Sequence, residues 1–367
     1  MLALLLFGMG VLAGCAGIPP ASVAPHKYTT YPGAESGVIR TQDGLALYTA
    51  WWKPVNEEPK AVILLLHGTA AHSGVYTPWA QYAVSQGYAV FAMDMRGWGQ
   101  SQGFGRRGYV RAGYADYVGD LPLAFAEVQR AYPGKRIYLQ GESLGAGVAL
   151  HASIQGGFPV DGLILNAPPV YVNLKVGPGR LPEWIARPAI WNAGLLGRVA
   201  PNFPLYPMNT DLGESWIWNK AIFDDWSRRE LRKDPHMTHS AIPAVYVTAL
   251  GKAAAHIRRH AADIREPFIL LQGDRDYLVN SRPSGKLLMN RASSTDKTHK
   301  VYPGMSHCTL HDKGRGAVWI DIIDWLDARV PATQTLPEEV AALRQQGRKY
   351  AGETPEETFG RLSRTLQ

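Results

Sequence analysis

"LQGESLGAG", residues 139–147, completes the apolar run "RIYLQG" (136–141) and leads into a stretch of small residues. Within it, Gly141-Glu142-Ser143-Leu144-Gly145 matches G-x-S-x-G between an expected strand and an expected helix. A serine there stands on a tight strand-to-helix turn where bulky neighbours would clash, so the flanking glycines are a steric requirement. The helix that begins at Leu144 offers a backbone N–H to stabilise an oxyanion beside the serine. The pentapeptide alone is a weak signal. Its setting between strand and helix is what singles out Ser143 as a nucleophile.

Outward from this turn the chain alternates. "AVILLLHG" (61–68) reads as a buried strand, "YTPWAQYAVSQG" (76–87) as a helix and "YAVFAMD" (88–94) as a strand. "YADYVGDLPLAFAEVQRAY" (114–132) reads as a helix, and "VDGLILNAP" (160–168) as the strand after the Leu144 helix. Upstream, "GVIRTQDGLALYTAWW" carries a hairpin signal at Asp43-Gly44. Continuous apolar strands separated by helical patterns predict an α/β fold, a mostly parallel sheet covered by helices on both faces. After Pro168 the alternation stops, and 171–262 is rich in Pro and Trp (Trp184, Trp191, Trp216, Trp218, Trp226) with short helical pieces. It resumes with "PFILLQGD" (267–274), "THKVYPG" (298–304) and the helix "AVWIDIIDWLDARV" (317–330). The expected organisation is one core in two parts, 36–170 and 263–330, interrupted by a helical lid over 171–262. A tail, 331–367, has capping-box spacing at Thr335…Glu338 and Thr354…Glu357 and reads as packing decoration or as a membrane or partner contact.

Serine is a poor nucleophile at its own pKa and needs a base, usually His, held in one tautomer by a carboxylate. Where G-x-S-x-G stands on such a strand-to-helix turn, the chain order is Ser, then Asp or Glu, then His, at the ends of later strands. "LLQGDRDYLVN" supplies Asp276, and "VYPGMSHCTLHD" supplies His307. Asp274 follows Gly273 too closely and is expected to shape the turn; His311 lies further into the next segment. His256 and His260 have helical i, i+4 spacing, but no Glu completes an H-E-x-x-H zinc motif. A second oxyanion donor is expected from the loop after "AVILLLHG", at the Thr69 amide, with His67 supporting that loop.

At 367 residues and 46% hydrophobic content the chain can bury a sizeable core, so disorder over most of it is excluded. Its formal charge of +7 comes from scattered Lys and Arg, with no basic run to suit nucleic acid. The two cysteines are Cys15 and Cys308. The N-terminal "MLALLLFGMGVLAGCAG" has an apolar stretch of about 13 residues, suited to a signal h-region and short for a membrane span. Leu12-Ala13-Gly14-Cys15 resembles the lipobox of bacterial lipoproteins, which implies cleavage, lipidation of Cys15 and attachment to a cell-envelope membrane. Residues 1–15 would then be signal and 16–35, with Pro19, Pro20, Pro25 and Pro32, a tether. No Lys or Arg precedes the apolar run, a departure from that pattern, and an uncleaved hydrophobic tail is the other reading.

"HGTAAHSGVY" (67–76), "MDMRGWGQSQG" (93–103), "GESLGAG" (141–147), "LLQGDRDYLV" (270–279) and "DKTHKVYPGMSHCTLHD" (296–312) together resemble the monoacylglycerol lipases and lysophospholipases of the α/β-hydrolase superfamily. "KDPHM" (233–237) resembles a segment late in that family's lid. The resemblance spans about 35–330 and implies hydrolysis of a carboxylester with one long acyl chain. Ser143 would be nucleophile, Asp276 the orienting acid, His307 the base, and the Thr69 and Leu144 amides the oxyanion hole, with no metal or organic cofactor. Asp94, Arg96, Gly97, Gly99 and Ser101 match a loop of structural use. Cys308 reads as a small packing residue. Acyl transfer, serine peptidase activity and non-catalytic lipid binding are the alternatives on the same fold.

Overall fold

Strands buried on both faces need apolar residues at every position rather than every second one. The strand β3 (Val62–Leu66) meets that demand: Val62, Leu64 and Leu66 pack into one apolar cluster, Ile63 and Leu65 into another. The same division runs through β4 (Ala89–Met93), β6 (Gly162–Asn166) and β9 (Phe268–Gly273), so the two clusters are the two faces of one sheet. The computed structural model describes residues 19–25, 27–55, 57–173, 195–206 and 216–330.

With β1 (Glu35–Arg40), β2 (Ala46–Trp52), β5 (Ile137–Glu142) and β10 (Lys297–Tyr302), the sheet has eight strands in the order β1-β2-β4-β3-β5-β6-β9-β10. Only β2 runs against the others; β4 through β10 pair in parallel. The β1–β2 hairpin turns at Gly44, whose φ of +86° suits glycine, and the Thr41 amide closes it on the Leu45 carbonyl at 2.9 Å. The expected mostly parallel sheet is therefore present, and it is covered on both faces. Helices α1 (Thr77–Ser85) and α8 (Arg315–Asp327) place Trp79, Trp319 and Ile322 in one cluster. Helices α2 (Tyr114–Ala131) and α3 (Leu144–Gln155) place Leu121, Phe125 and Val148 in the other.

Because β6 pairs directly with β9, the chain between them is an insertion between two neighbouring strands of the sheet. Its described parts contain α4 (Trp216–Ala221), α5 (Asp225–Lys233), α6 (Ala244–His260) and a small antiparallel pair, β7 (Pro204–Tyr206) with β8 (Ile242–Pro243). Helix α6 faces inward with Tyr246, Ala249, Ala253 and Ile257, a spacing of three or four residues. Trp184, Trp191, the lipobox with Cys15, and the tail 331–367 lie outside the described residues. In the segment read as a tether, two described residues meet the domain: the Ser22 amide bonds the Gly103 carbonyl at 2.7 Å, and Tyr31 is buried.

The loop after β4 acts structurally, as the sequence suggests. Asp94 accepts from the Ser73 and Gln100 amides at 2.6 and 2.8 Å, and a Cβ on Gly99 would stand 2.2 Å from the Asp94 carboxylate. Arg96 donates from Nε and Nη2 to the two oxygens of the buried Asp120, at 2.7 and 2.5 Å, and from Nη1 to Asp43 at 3.0 Å. Arg96→Ala would leave Asp120 buried and unpaired, so unfolding free energy is expected to fall by about 3–5 kcal/mol, measurable as a lower urea midpoint at unchanged m.

Candidate active site

The turn between β5 and α3 is as tight as the pentapeptide implies. Ser143 has φ +52° and ψ −109°, a region that L residues rarely occupy. Two bonds hold it there: its amide donates to the Asn166 carbonyl on β6 at 2.9 Å, and the Gly145 amide donates to the His67 carbonyl at 3.1 Å. A Cβ at Gly141 would come within 2.2 Å of the Gly145 carbonyl carbon, and one at Gly145 within 2.1 Å of the Leu66 oxygen. Both glycines are thus set by backbone approach. The Leu144 amide is among the first N–H groups of α3, which have no partner inside their helix.

Asp276 follows β9 and His307 follows β10, and these adjacent parallel strands bring them together. Asp276 Oδ2 lies 2.8 Å from His307 Nδ1, while its Oδ1 accepts from the Leu278 and Val279 amides at 2.8 and 2.9 Å. The carboxylate is fully buried, and three hydrogen bonds fix its orientation. This pairing puts the Nδ1 proton towards Asp276 and leaves Nε2 free to accept. Burial pushes the His307 pKa down, but the Asp276 charge and hydrogen bond outweigh it, and the net direction is upward from the ordinary histidine value. Ser143 and His307 line one cavity.

Thr69 lines the same cavity, and its hydroxyl is bonded to the Tyr246 hydroxyl of α6. His67 supports the loop from below. Its Nε2 accepts from the Met95 amide at 2.9 Å, so Nδ1 donates to the Gly68 carbonyl at 2.7 Å, and burial lowers its pKa to about 4. Asp274 shapes a turn, accepting from the Gly304 amide at 2.7 Å. From "KDPHM", Asp234 bonds His72 Nε2 at 3.0 Å and ties the insertion to the loop after β3. Burial and the nearby carboxylates Glu142, Asp276 and Asp312 push the Cys308 thiol well up, which keeps it protonated. His151, His256 and His260 stack at 4.6 and 4.5 Å between ring centres. Among the described residues no group of three or more His, Cys, Asp or Glu is placed to hold a metal ion.

Sequence reading missed one part of the site. Glu142, the residue before Ser143, is buried; its Oε2 accepts from the Tyr76 hydroxyl at 2.8 Å and lies 3.4 Å from His311 Nε2. The Tyr76 hydroxyl also accepts from the Gly68 amide at 3.0 Å, so this network braces the loop carrying Thr69. Burial raises the Glu142 pKa, yet His311 and Tyr76 outweigh it and the net direction is down. The rest of the cavity wall is apolar, including Ile222, Leu231, Met237, Val247, Leu250 and Leu278.

A family model described as "Serine aminopeptidase, S33" matches residues 57–314. Human monoglyceride lipase is 30% identical over 296 residues, 80% of this chain and 90% of that protein. The chain belongs to the α/β-hydrolase family that includes the monoglyceride lipases. The monoacylglycerol lipase of Mycolicibacterium smegmatis is 26% identical, covering 75% of this chain and 90% of that one. A crystal structure of a soluble variant of monoglyceride lipase from Saccharomyces cerevisiae, in complex with a substrate analog, shares the fold with a TM-score of 0.68 at 22% identity, over 84% of this chain and 99% of that one. As a member of this α/β-hydrolase family, the protein is a carboxylic ester hydrolase.

Proposed function

We propose that the protein hydrolyses single-acyl-chain lipid esters, monoacylglycerols or lysophospholipids, with Ser143 as nucleophile, His307 as base and Asp276 as orienting acid. The observation that carries this reading is that His307, hydrogen-bonded to Asp276 at 2.8 Å, lines an apolar cavity together with the strained Ser143 turn. Ser143 Oγ attacks the ester carbonyl carbon as His307 Nε2 takes its proton, and the Thr69 and Leu144 amides receive the oxyanion. Collapse breaks the bond to the alcohol, which leaves with the proton from Nε2. His307 then deprotonates a water that attacks the acyl-enzyme, releasing the fatty acid and restoring Ser143. An alcohol in place of that water would give acyl transfer.

The insertion supplies Val247 and Leu250 of α6 and Ile222 to the cavity, apolar surface that an acyl chain needs. In this reading it is the lid. The substrate class is tested by comparing kcat/KM for a monoacylglycerol, a lysophospholipid and an aminoacyl amide. Turnover of either lipid ester well above the amide is expected; preference for the amide would make the protein a peptidase.

Catalysis needs neutral His307. With its pKa raised, kcat/KM is expected to climb with pH along a limb whose midpoint lies above the ordinary histidine value of about 6.5. The stability linkage has the opposite sense: the stabilised imidazolium contributes below the unfolded pKa, and this is lost as pH rises through the folded one. A pH–rate profile with its acid midpoint below 6.5 would contradict the assignment.

We also propose that Cys15 is lipidated and holds the enzyme at an envelope membrane. No helix among the described residues is long and apolar enough to cross a membrane. Acyl chains contribute about 0.8 kcal/mol per buried CH₂, so several chains give stable attachment. Cys15→Ser is expected to move the protein from the membrane fraction to the soluble one; retention in the membrane would contradict it.

A further inference from the structure

Beside the acyl cavity lies a second one of about 460 Å³, between the loop before α1, helix α5 and the start of α8. Val75, Leu231 and His311 line both, so the two cavities adjoin there. On the far side stands Arg315, the first residue of α8 and only 6% exposed. Its Nη1 donates to Ser227 Oγ at 3.3 Å, and its guanidinium carbon lies 5.8 and 5.5 Å from the rings of Trp226 and Trp319. Its Nε is buried without a hydrogen-bond partner.

No carboxylate among the described residues accepts a hydrogen bond from Arg315, although the negative charge of Asp224 acts on it from a distance. Glu230 is held by Lys233 at 3.0 Å and Asp234 by His72 at 3.0 Å. Asp224 caps α5 through the Ser227 amide at 2.7 Å, and Asp312 accepts from the Ser306 amide and hydroxyl at 2.7 and 2.6 Å. A guanidinium cannot shed its charge, and a buried one is costly unless an anion completes it. The positive end of the 13-residue helix α8 lies at the same place and adds to the demand for negative charge. The planar fork of an arginine suits a phosphate, which it can bind through two parallel hydrogen bonds.

We propose that this second cavity is a phosphate subsite anchored by Arg315, which reads the head group of a lysophospholipid whose ester reaches Ser143 through the junction of the two cavities at Val75, Leu231 and His311. The inference rests on the ester-hydrolase reading above and narrows its substrate to the phosphate-bearing class.

The test uses the full chain, with R315Q and R315K beside it, and a lysophosphatidylglycerol and a monoacylglycerol of the same acyl length. In R315Q the ratio of kcat/KM for the phospholipid to that for the monoacylglycerol is expected to fall at least tenfold, mainly through KM, with partial recovery in R315K. Inorganic phosphate should inhibit phospholipid turnover by the wild type competitively, and should raise the Tm of the wild type but not of R315Q. Arg315-dependent stabilisation by phosphate with an unchanged substrate ratio would overturn the head-group assignment in favour of a free anion. No stabilisation and no change in ratio would overturn the subsite altogether. Should R315Q fail to fold, the wild-type phosphate competition decides alone. Failure of the wild type to turn over either lipid would strike the ester-hydrolase reading instead, so the two failures are distinguishable.

Discussion

Replacing Ser143 with Ala is expected to lower kcat on every ester substrate by about 10⁴-fold or more. The substitution keeps Cβ and the backbone bond from the Ser143 amide to Asn166, and it removes one oxygen facing the cavity. Its effect on stability should therefore stay within about 0.5 kcal/mol, since neither packing nor a buried polar group is disturbed. Steady-state kinetics and a melting curve on the same sample separate the two quantities. A variant that melts as the wild type does and retains full turnover would remove Ser143 from the mechanism.

The second large effect is expected at Asp276. Its Oδ1 receives the Leu278 and Val279 amides, so in Asp276→Asn the side-chain carbonyl will take that position and the amide NH₂ will turn towards His307. Nδ1 must then accept, the proton moves to Nε2, and the imidazole presents a donor where the mechanism needs an acceptor. A loss of about 10³–10⁴ in kcat is expected from the wrong tautomer. Losing the charge also removes the main influence raising the His307 pKa, so the acid limb of the residual activity should move to lower pH. The pH–rate profile of the variant checks this, and an unmoved limb together with a small loss would assign Asp276 a structural role only.

Much of this was legible because the sheet is buried on both faces. "AVILLLHG" and "PFILLQGD" are apolar at every position, and such runs between helical patterns have few other readings. The residues proposed as nucleophile, acid and base could be singled out for a related reason: Ser143, Asp276 and His307 each stand just past the carboxyl end of a strand. The network of Glu142 with Tyr76 and His311 was not, because its members lie 66 and 169 residues apart in sequence and only the fold joins them. Thr69 and Tyr246, 177 residues apart, are the same case.

Helices differed in how they announced themselves. In α7 (Ser281–Arg291) the buried residues are Ser281, Ser284, Gly285 and Leu288, mostly small and polar, so no apolar stripe marks it. Helix α6 has a stripe, but it begins directly after Pro243 without a side-chain cap, inside a region whose Pro and Trp content suggested only short pieces. Pro122 sits inside α2, which nevertheless runs unbroken from Tyr114 to Ala131. Buried Leu121, Ala124, Phe125 and Val128 hold that helix against the sheet, and tertiary packing outweighs the lost hydrogen bond there.

In the proposed reaction Ser143 is the residue that becomes acylated. Intact-mass analysis of the purified protein after treatment with a fluorophosphonate, followed by peptide mapping, tests it most directly. One adduct is expected, on Ser143, that is absent from Ser143→Ala and much slower to form in Asp276→Asn. A folded wild-type protein that takes no label, or one labelled elsewhere, would contradict it.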